Sequence, residues 1–338
     1  MKKTLLLLFI LSSYASFSQK NDTLRKYFDA SFQPTSKSKA AIAGLAIRSG
    51  DHWYLIAVYP NNKPILKAYF KDPNLEVKDG PYSVYYENGN KASEGNFINN
   101  SRQGVWKFYY QSGGMKDSGM VINDQMTGSW SSWYENGGLK FEAGFPDPDS
   151  IYASSKPLIV KEILHNSLPA FSLHGGWTSY FPNGKIDSKG SYVYNLKEGK
   201  WNYYHENGNL STIEVYKSDK VTAMECFDST GTKTGDFCSI AKAPYPNLDR
   251  FTDFNTYMLD NIFWPKELLD KNVSGMVKGR YTITKLGEFK DFVITDSPHE
   301  LLSKETERFF RSLKQWSPAV SHNRAIDFTV SFEIPFVK

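Results

Sequence analysis

The chain has 338 residues, enough for about two domains and a real core. Aromatic residues make up 15% and charged residues 22%, and the formal net charge is +4, with Lys2 and Lys3 among the positives. So small an excess gives no broad basic field, and nucleic acid is excluded as an expected partner.

The N-terminus reads MKKTLLLLFILSSYASFSQ. Two lysines precede a short apolar run, and Ser16 and Ser18 stand where a peptidase needs small residues. The pattern predicts a signal peptide over 1–18, cleaved before Gln19. The alternative is a retained anchor, but the run is short against the ~20 residues of a spanning helix. No cysteine follows it to carry a lipid. The expectation is an exported protein, periplasmic or envelope-associated, with peripheral membrane association left open.

Residues 19–78 read as a β segment. Tyr59-Pro-Asn-Asn-Lys63 within it looks like a worn copy of Tyr86-Glu-Asn-Gly-Asn90. From 79 to 240 the chain repeats itself. Phrases begin at Gly80, Gly104, Gly128, Gly175 and Gly199, at intervals of 24, 24, 47 and 24. A Trp or Tyr follows two residues on, at Tyr82, Trp106, Trp130, Trp177 and Trp201. Nine on is always glycine: Gly89, Gly113, Gly137, Gly184 and Gly208, usually after Asn. Asn-Gly is a strong hairpin signal, and a type I′ turn is expected there. Aromatics before the turn favour strand. Each unit is then a hairpin, marginal alone and stabilised by stacking on its neighbours.

Strand periodicity puts the residues two, four and six after the first glycine on one face, predicted to be packed. The residue five after it points the other way, giving a column of Tyr85, Tyr109, Trp133, Tyr180 and Tyr204. The column reads either as a cross-strand ladder or as a binding platform for sugar rings or a partner's side chains. The slot 146–174 breaks the period. It carries four prolines and the run 158–164, and reads as a loop with one strand. Asp147 and Asp149 lack the further oxygens of a calcium loop. Phe227-Asp-Ser-Thr-Gly231 suggests a degenerate terminal unit. Cys226 and Cys238 are the two cysteines. Export permits a disulfide between them, and two free buried thiols are the alternative.

Ala243-Pro-Tyr-Pro246 suggests a linker over 241–251. Residues 252–338 then read helix, strand, strand, helix, strand. Helical spacing runs from Phe254 to Phe263, stopped by Trp264-Pro265. Arg280–Thr284 and Phe289–Ile294 are strands joined at Gly287. Ser297-Pro-His-Glu300 has a capping-box pattern. Phe328, Val330, Phe332, Ile334 and Phe336 alternate as a half-buried strand should. This segment has 12 basic and 12 acidic residues, so charge points to no partner.

Two resemblances follow from these residues. The phrase G-x-W-x-x-Y-Y-x-N-G-x-L-K over roughly 79–217 resembles the MORN-variant repeat. It implies a hairpin array with a binding or scaffold role and no catalytic residues. Some members are labelled antitoxins, intracellular proteins that would not carry a signal peptide. The segment 252–337 resembles the C-terminal domain of TonB-type energy transducers. The matching features are Trp264-Pro265, Gly275, Gly287, the Glu305–Arg308 helix, Trp316-Ser-Pro-Ala319 and Phe332-Glu-Ile-Pro-Phe336. That resemblance implies binding of extended receptor segments by strand addition at a sheet edge. The fold expected is mainly β: an array of stacked antiparallel hairpins, then a small TonB-like αββαβ domain. Trp264 and Trp316 are expected in its core.

Catalytic motifs are missing from the sequence. His52, His165, His174, His205, His299 and His322 have no metal-ligand spacing, and two cysteines without a histidine cluster make no zinc site. There is no P-loop and no nucleophile elbow. Glu87, Glu135 and Glu206 recur before the turns as surface residues, unlike a catalytic pair. The expected role is non-enzymatic, without cofactor: a scaffold binding another envelope protein. Energy coupling to outer-membrane transport, which needs a membrane-held N-terminus, is one alternative. A glycan-binding module is another.

Overall fold

The structure, a computed structural model, describes residues 23–147, 172–248, 253–271 and 273–337. The expected leader and the run 158–164 lie outside these residues, as does Asp149. Two compact units divide at residue 174.

The first unit is a meander of ten strands: β1 (Thr23–Phe28), β2 (Ile42–Ser49), β3 (His52–Val58), β4 (Pro64–Phe70), β5 (Lys78–Tyr85), β6 (Lys91–Ile98), β7 (Ser101–Tyr109), β8 (Met115–Ile122), β9 (Gln125–Trp133) and β10 (Leu139–Phe145). Each pairs antiparallel with the next. The second unit continues the same grammar with β11 (Gly175–Tyr180), β12 (Ile186–Val193), β13 (Leu196–Tyr204), β14 (Leu210–Lys217), β15 (Lys220–Phe227) and β16 (Lys233–Gly235).

The packed face is the expected one at its first two positions. Tyr82, Trp106, Trp130 and Trp201 are buried, as are Val84, Phe108, Ser132 and Tyr203. The third position does a different job. Tyr86 donates its hydroxyl to the Tyr109 carbonyl at 2.8 Å, and Tyr110 does the same to Trp133 at 2.7 Å. Each ties its hairpin to the following one.

The turns correct the sequence reading. At Asn88-Gly89 only the glycine has a positive φ, of 94°. Gly89 N–H donates to Tyr86 O and Tyr86 N–H to Asn90 O, each at 2.8 Å. This is a three-residue loop with a left-handed glycine, not type I′. The asparagine acts through its side chain. Asn88 Oδ1 accepts from Asn90 N–H at 2.9 Å, and Asn88 Nδ2 donates to Gln111 O in the following hairpin at 2.7 Å. The two-residue type I′ loops close the opposite ends of the hairpins. Asn99-Asn100, Asn123-Asp124, Tyr194-Asn195 and Ser218-Asp219 all have positive φ at both positions.

A further repeated feature went unread in the sequence. Gly95, Gly119 and Gly190 lie fifteen residues after Gly80, Gly104 and Gly175. A Cβ on any of them would come closer than 3.0 Å to the indole of Trp106, Trp130 or Trp201 respectively. Each indole lies flat on bare backbone of the preceding hairpin. Two residues further on, Phe97 and Tyr192 meet the same Trp106 and Trp201 edge-on, at 5.3 and 4.9 Å.

After the array the chain forms β17 (Ala241–Lys242), β18 (Tyr245–Pro246), α1 (Phe254–Asn261), β19 (Gly275–Ile283), β20 (Phe289–Asp296), α2 (Glu300–Ser312), β21 (Trp316–Ser317), β22 (Ala319–Ser321), β23 (Arg324–Ile326) and β24 (Phe328–Phe336). The fold is mainly β with a small α+β C-terminal part, as expected. The stretch expected as a linker pairs instead. β17 joins β22, and β18 joins β21. Pairing gives its backbone groups partners that a bare linker would leave to water. Helix α2 also starts later than the capping-box pattern suggested. His299 is the N-cap, and its ring nitrogen accepts from Leu301 N–H at 3.1 Å. Ser297 bonds to His299 instead of reaching the helix.

The main C-terminal sheet has the order β20-β19-β24. Leu302, Phe309 and Phe310 of α2 are buried against it with Val277, Tyr281, Ile283, Ile334 and Phe336. Trp316 is buried in this cluster and Trp264 packs on its rim, 5.9 Å from the Phe336 ring.

Candidate functional site

The aromatic column predicted as a binding platform is half-buried at all five positions, Tyr85, Tyr109, Trp133, Tyr180 and Tyr204. Each ring sits opposite the residue that leaves the turn: Tyr85 faces Lys91, Tyr109 faces Met115, Trp133 faces Leu139, Tyr180 faces Ile186 and Tyr204 faces Leu210. Tyr109 is further engaged, its hydroxyl donating to Glu94 at 2.5 Å. Burial and that carboxylate push the Tyr109 pKa up. Lys67 stands 5.3 Å over the Tyr85 ring. These contacts are what a cross-strand ladder makes.

The C-terminal sheet offers a different surface. Among the described residues β24 pairs with β19 and with no other strand. Its phase can be read from Pro335, which is exposed and paired in register with Met276. Proline has no N–H to give, so within a sheet it stands with its nitrogen toward the open side. Backbone groups alternate sides along an antiparallel strand. Thr329, Ser331 and Glu333 therefore share the phase of Pro335 and turn N–H and C=O outward. All three are exposed, while Val330 and Phe332 between them are half-buried and Ile334 and Phe336 beyond them are buried. The strand is anchored by its inward residues and leaves three consecutive hydrogen-bonding sites on its edge.

A third region lies within the second unit, where the β22–β23 turn meets the last hairpins. Glu214 of β14 is fully buried. It accepts from the Thr212 hydroxyl at 2.7 Å and from the Tyr216 hydroxyl. His322 Nδ1 lies 2.8 Å from its Oε1. The His322 ring stacks on Tyr203 with centroids 3.5 Å apart and planes 8° off parallel. Burial alone would raise the Glu214 pKa, but hydrogen bonds from His322, Tyr216 and Thr212 outweigh it and hold the carboxyl below its ordinary value. Around this turn, Ser211 Oγ donates to His322 O at 2.7 Å, and Asn323 Nδ2 donates to Phe227 O at 3.1 Å. Arg324 pairs with Asp187 and donates to Tyr204 O at 2.7 Å.

Beside the turn is a cleft of about 400 Å³, with Phe181, Ala325 and Ile326 in its lining. Its rim charges are satisfied: Lys285 pairs with Glu206 at 2.8 Å and Arg324 with Asp187. Glu206, which in sequence merely precedes a turn, thus holds a lysine of the C-terminal domain. His205 turns its ring nitrogen to Phe227 O at 3.3 Å. Cys226 and Cys238 are joined in a disulfide, their Cα atoms 6.2 Å apart.

The sequence did not reveal the roles of Glu214 and His322. The signal was there in part: Glu214 stands fifteen residues after Gly199, the position held by glycine in three other copies. Among the described residues no group of three or more His, Cys, Asp or Glu is placed to hold a metal ion. No helix among them is long and apolar enough to cross a membrane.

Comparison with known families finds the same two kinds of segment, repeats and a separate C-terminal domain. Residues 260–337 match the family described as Gram-negative bacterial TonB protein C-terminal. Residues 78–99, 126–145, 173–194 and 197–218 match the MORN repeat variant. The hairpin beginning at Gly104 lies between two of these stretches and has the same construction. The chain thus carries MORN-variant repeats followed by a TonB-type C-terminal domain, a domain of the Gram-negative envelope. No curated protein matches the chain.

Proposed function

We propose that this protein is an exported envelope scaffold that captures an extended segment of another envelope protein, adding it as a strand to the outer edge of β24. The observation that carries the reading is the open edge at Thr329, Ser331 and Glu333 in a domain of the TonB C-terminal family. Strand addition takes its affinity from main-chain hydrogen bonds and its selectivity from alternate side chains. The incoming segment would run antiparallel or parallel to β24 and stop at Pro335, which has no N–H to offer. The array is a spacer and interaction platform in this reading, its aromatic column a stabilising ladder. The role is binding and involves no catalysis or cofactor.

The reading is tested by comparing cross-linked envelope fractions from cells carrying the full chain or a chain lacking 253–337. A partner held by the first and missing from the second supports it. A partner set unchanged by the deletion overturns it. Energy coupling requires the N-terminus to be held in the membrane, so a native chain found to begin at Gln19 would remove that alternative. Retention of polysaccharide by the full chain, abolished by Tyr109→Ala with Trp133→Ala, would instead favour a glycan-binding module.

A further inference from the structure

Repeat arrays need an end that hides the last packed face from water. In the interior hairpins that face is closed by the next tryptophan. Gly119 has Trp106 of its own hairpin on one side and Trp130 of the next on the other. Glu214 holds the equivalent place in the last full hairpin. Trp201 flanks it on one side, but on the other stands Met224. Among the described residues no indole of a following hairpin joins Trp201 on Tyr203, and a carboxylate fills the room that glycine leaves elsewhere.

His322 supplies what is missing. Its ring covers Tyr203 face to face, and its Nδ1 meets the Glu214 carboxylate that an indole would have excluded. The backbone follows the array's own pattern as well. His322 and Asn323 both have positive φ, like Asn99-Asn100 and Ser218-Asp219. In the array, Asn100 N–H donates to Lys78 O and Asp219 N–H to Lys197 O, 2.9 and 3.0 Å away. Here Asn323 N–H donates to Ser239 O at 2.8 Å and His322 N–H to Ile240 O at 2.6 Å. Both acceptors directly follow Cys238, whose disulfide to Cys226 fastens that stretch to β15.

We propose that the His322-Asn323 turn is the C-terminal cap of the repeat array, so that the C-terminal domain rides on the last hairpin through a fitted, releasable seat. The cap is independent of what β24 binds, since its contacts lie on β22–β23 and not on the β24 edge. It fixes the direction in which that edge is presented. The groups facing Glu214 are His322 from the turn, Thr212 and Tyr216 from its own strand, and Lys197 and Tyr203 from β13, with Asp219 acting on Lys197 and Arg324 standing 5.8 Å over the Tyr203 ring. Because the Glu214 carboxyl is held below its ordinary value, its contribution is complete above 4.5 and is lost as pH falls through the lowered value.

The test is amide hydrogen exchange of Asn323 in the full chain, in the wild type, Glu214→Gly, His322→Ala and the double variant. Glu214→Gly restores the residue that other copies carry, and His322→Ala removes the covering ring while leaving Trp201, Tyr203 and Tyr216 beneath it in place. Each single change is expected to speed Asn323 exchange about tenfold, and the double change no more than either alone. Acidification below 4.5 should lower the protection factor of Asn323, its exchange corrected for the slower intrinsic rate in acid, in the wild type and leave that of Glu214→Gly flat. Unchanged exchange in His322→Ala, or effects that multiply in the double variant, overturns the proposal. Should Glu214→Gly unfold the last hairpin, His322→Ala alone decides.

Discussion

Gly119 lies directly under the indole of Trp130, with no space for a methyl group between them. The pair recurs as Gly95 with Trp106 and Gly190 with Trp201, so it is a rule of the array and not an accident of one strand. Gly119→Ala should therefore destabilise by about 1–3 kcal/mol, the usual cost of overpacking a filled core. Thermal melting checks this. An unchanged melting temperature would mean that the indole can lift without loss.

The hydroxyl of Tyr110 ties one hairpin to the carbonyl of Trp133 in the next. Tyr110→Phe keeps the ring and removes the tie. Its expected cost is about 1 kcal/mol, the net worth of one hydrogen bond. Urea unfolding should show a lowered midpoint with an unchanged slope.

Acid should loosen the array. Burial raises the Glu94 pKa, but hydrogen bonds from Lys91 and Tyr109 outweigh it and leave it lowered. Asp79 is likewise lowered, its burial offset by His52 and the Asn99 amide. A lowered carboxyl stabilises above its unfolded value and loses that contribution as pH falls through the folded one. Stability should hold down to the ordinary glutamate value of 4.5 and drop below it. Glu94→Gln should make the acid limb of a denaturation profile shallower.

The disulfide joins β15 to the stretch entering β17 across 12 residues. Closing so short a loop contributes about 2–3 kcal/mol in the chain-entropy picture. Cys226→Ser with Cys238→Ser should lower the unfolding free energy of the second unit by that amount, seen as a lower midpoint. Calorimetry of the oxidised wild type against the variant measures it.

Much of this fold was legible because repetition multiplies a weak signal. A single Trp two residues after glycine says little, but four Trp and a Tyr in register identify the packed face. The turns were misread because Asn-Gly fits two loop types. The choice between them rests on side-chain bonds such as Asn88 to Gln111, which cross to a neighbouring hairpin. The strand β24 was read to its ends because its inward residues alternate without a break. Its open edge was not readable, since an edge is defined by what fails to pair beside it. The Glu214–His322 contact joins residues 108 apart and has no local signature. Only the loss of glycine at a repeated position marked it.

The central claim is that β24 receives another strand along Thr329, Ser331 and Glu333. Ser331→Pro removes one outward N–H and leaves the bonds to β19 in place, so the domain should still fold. A photoreactive residue at Thr329 in otherwise intact cells should cross-link to another envelope protein, and Ser331→Pro should abolish that cross-link while the domain's circular dichroism stays unchanged. A cross-link that persists in the folded Ser331→Pro chain would contradict strand addition at this edge.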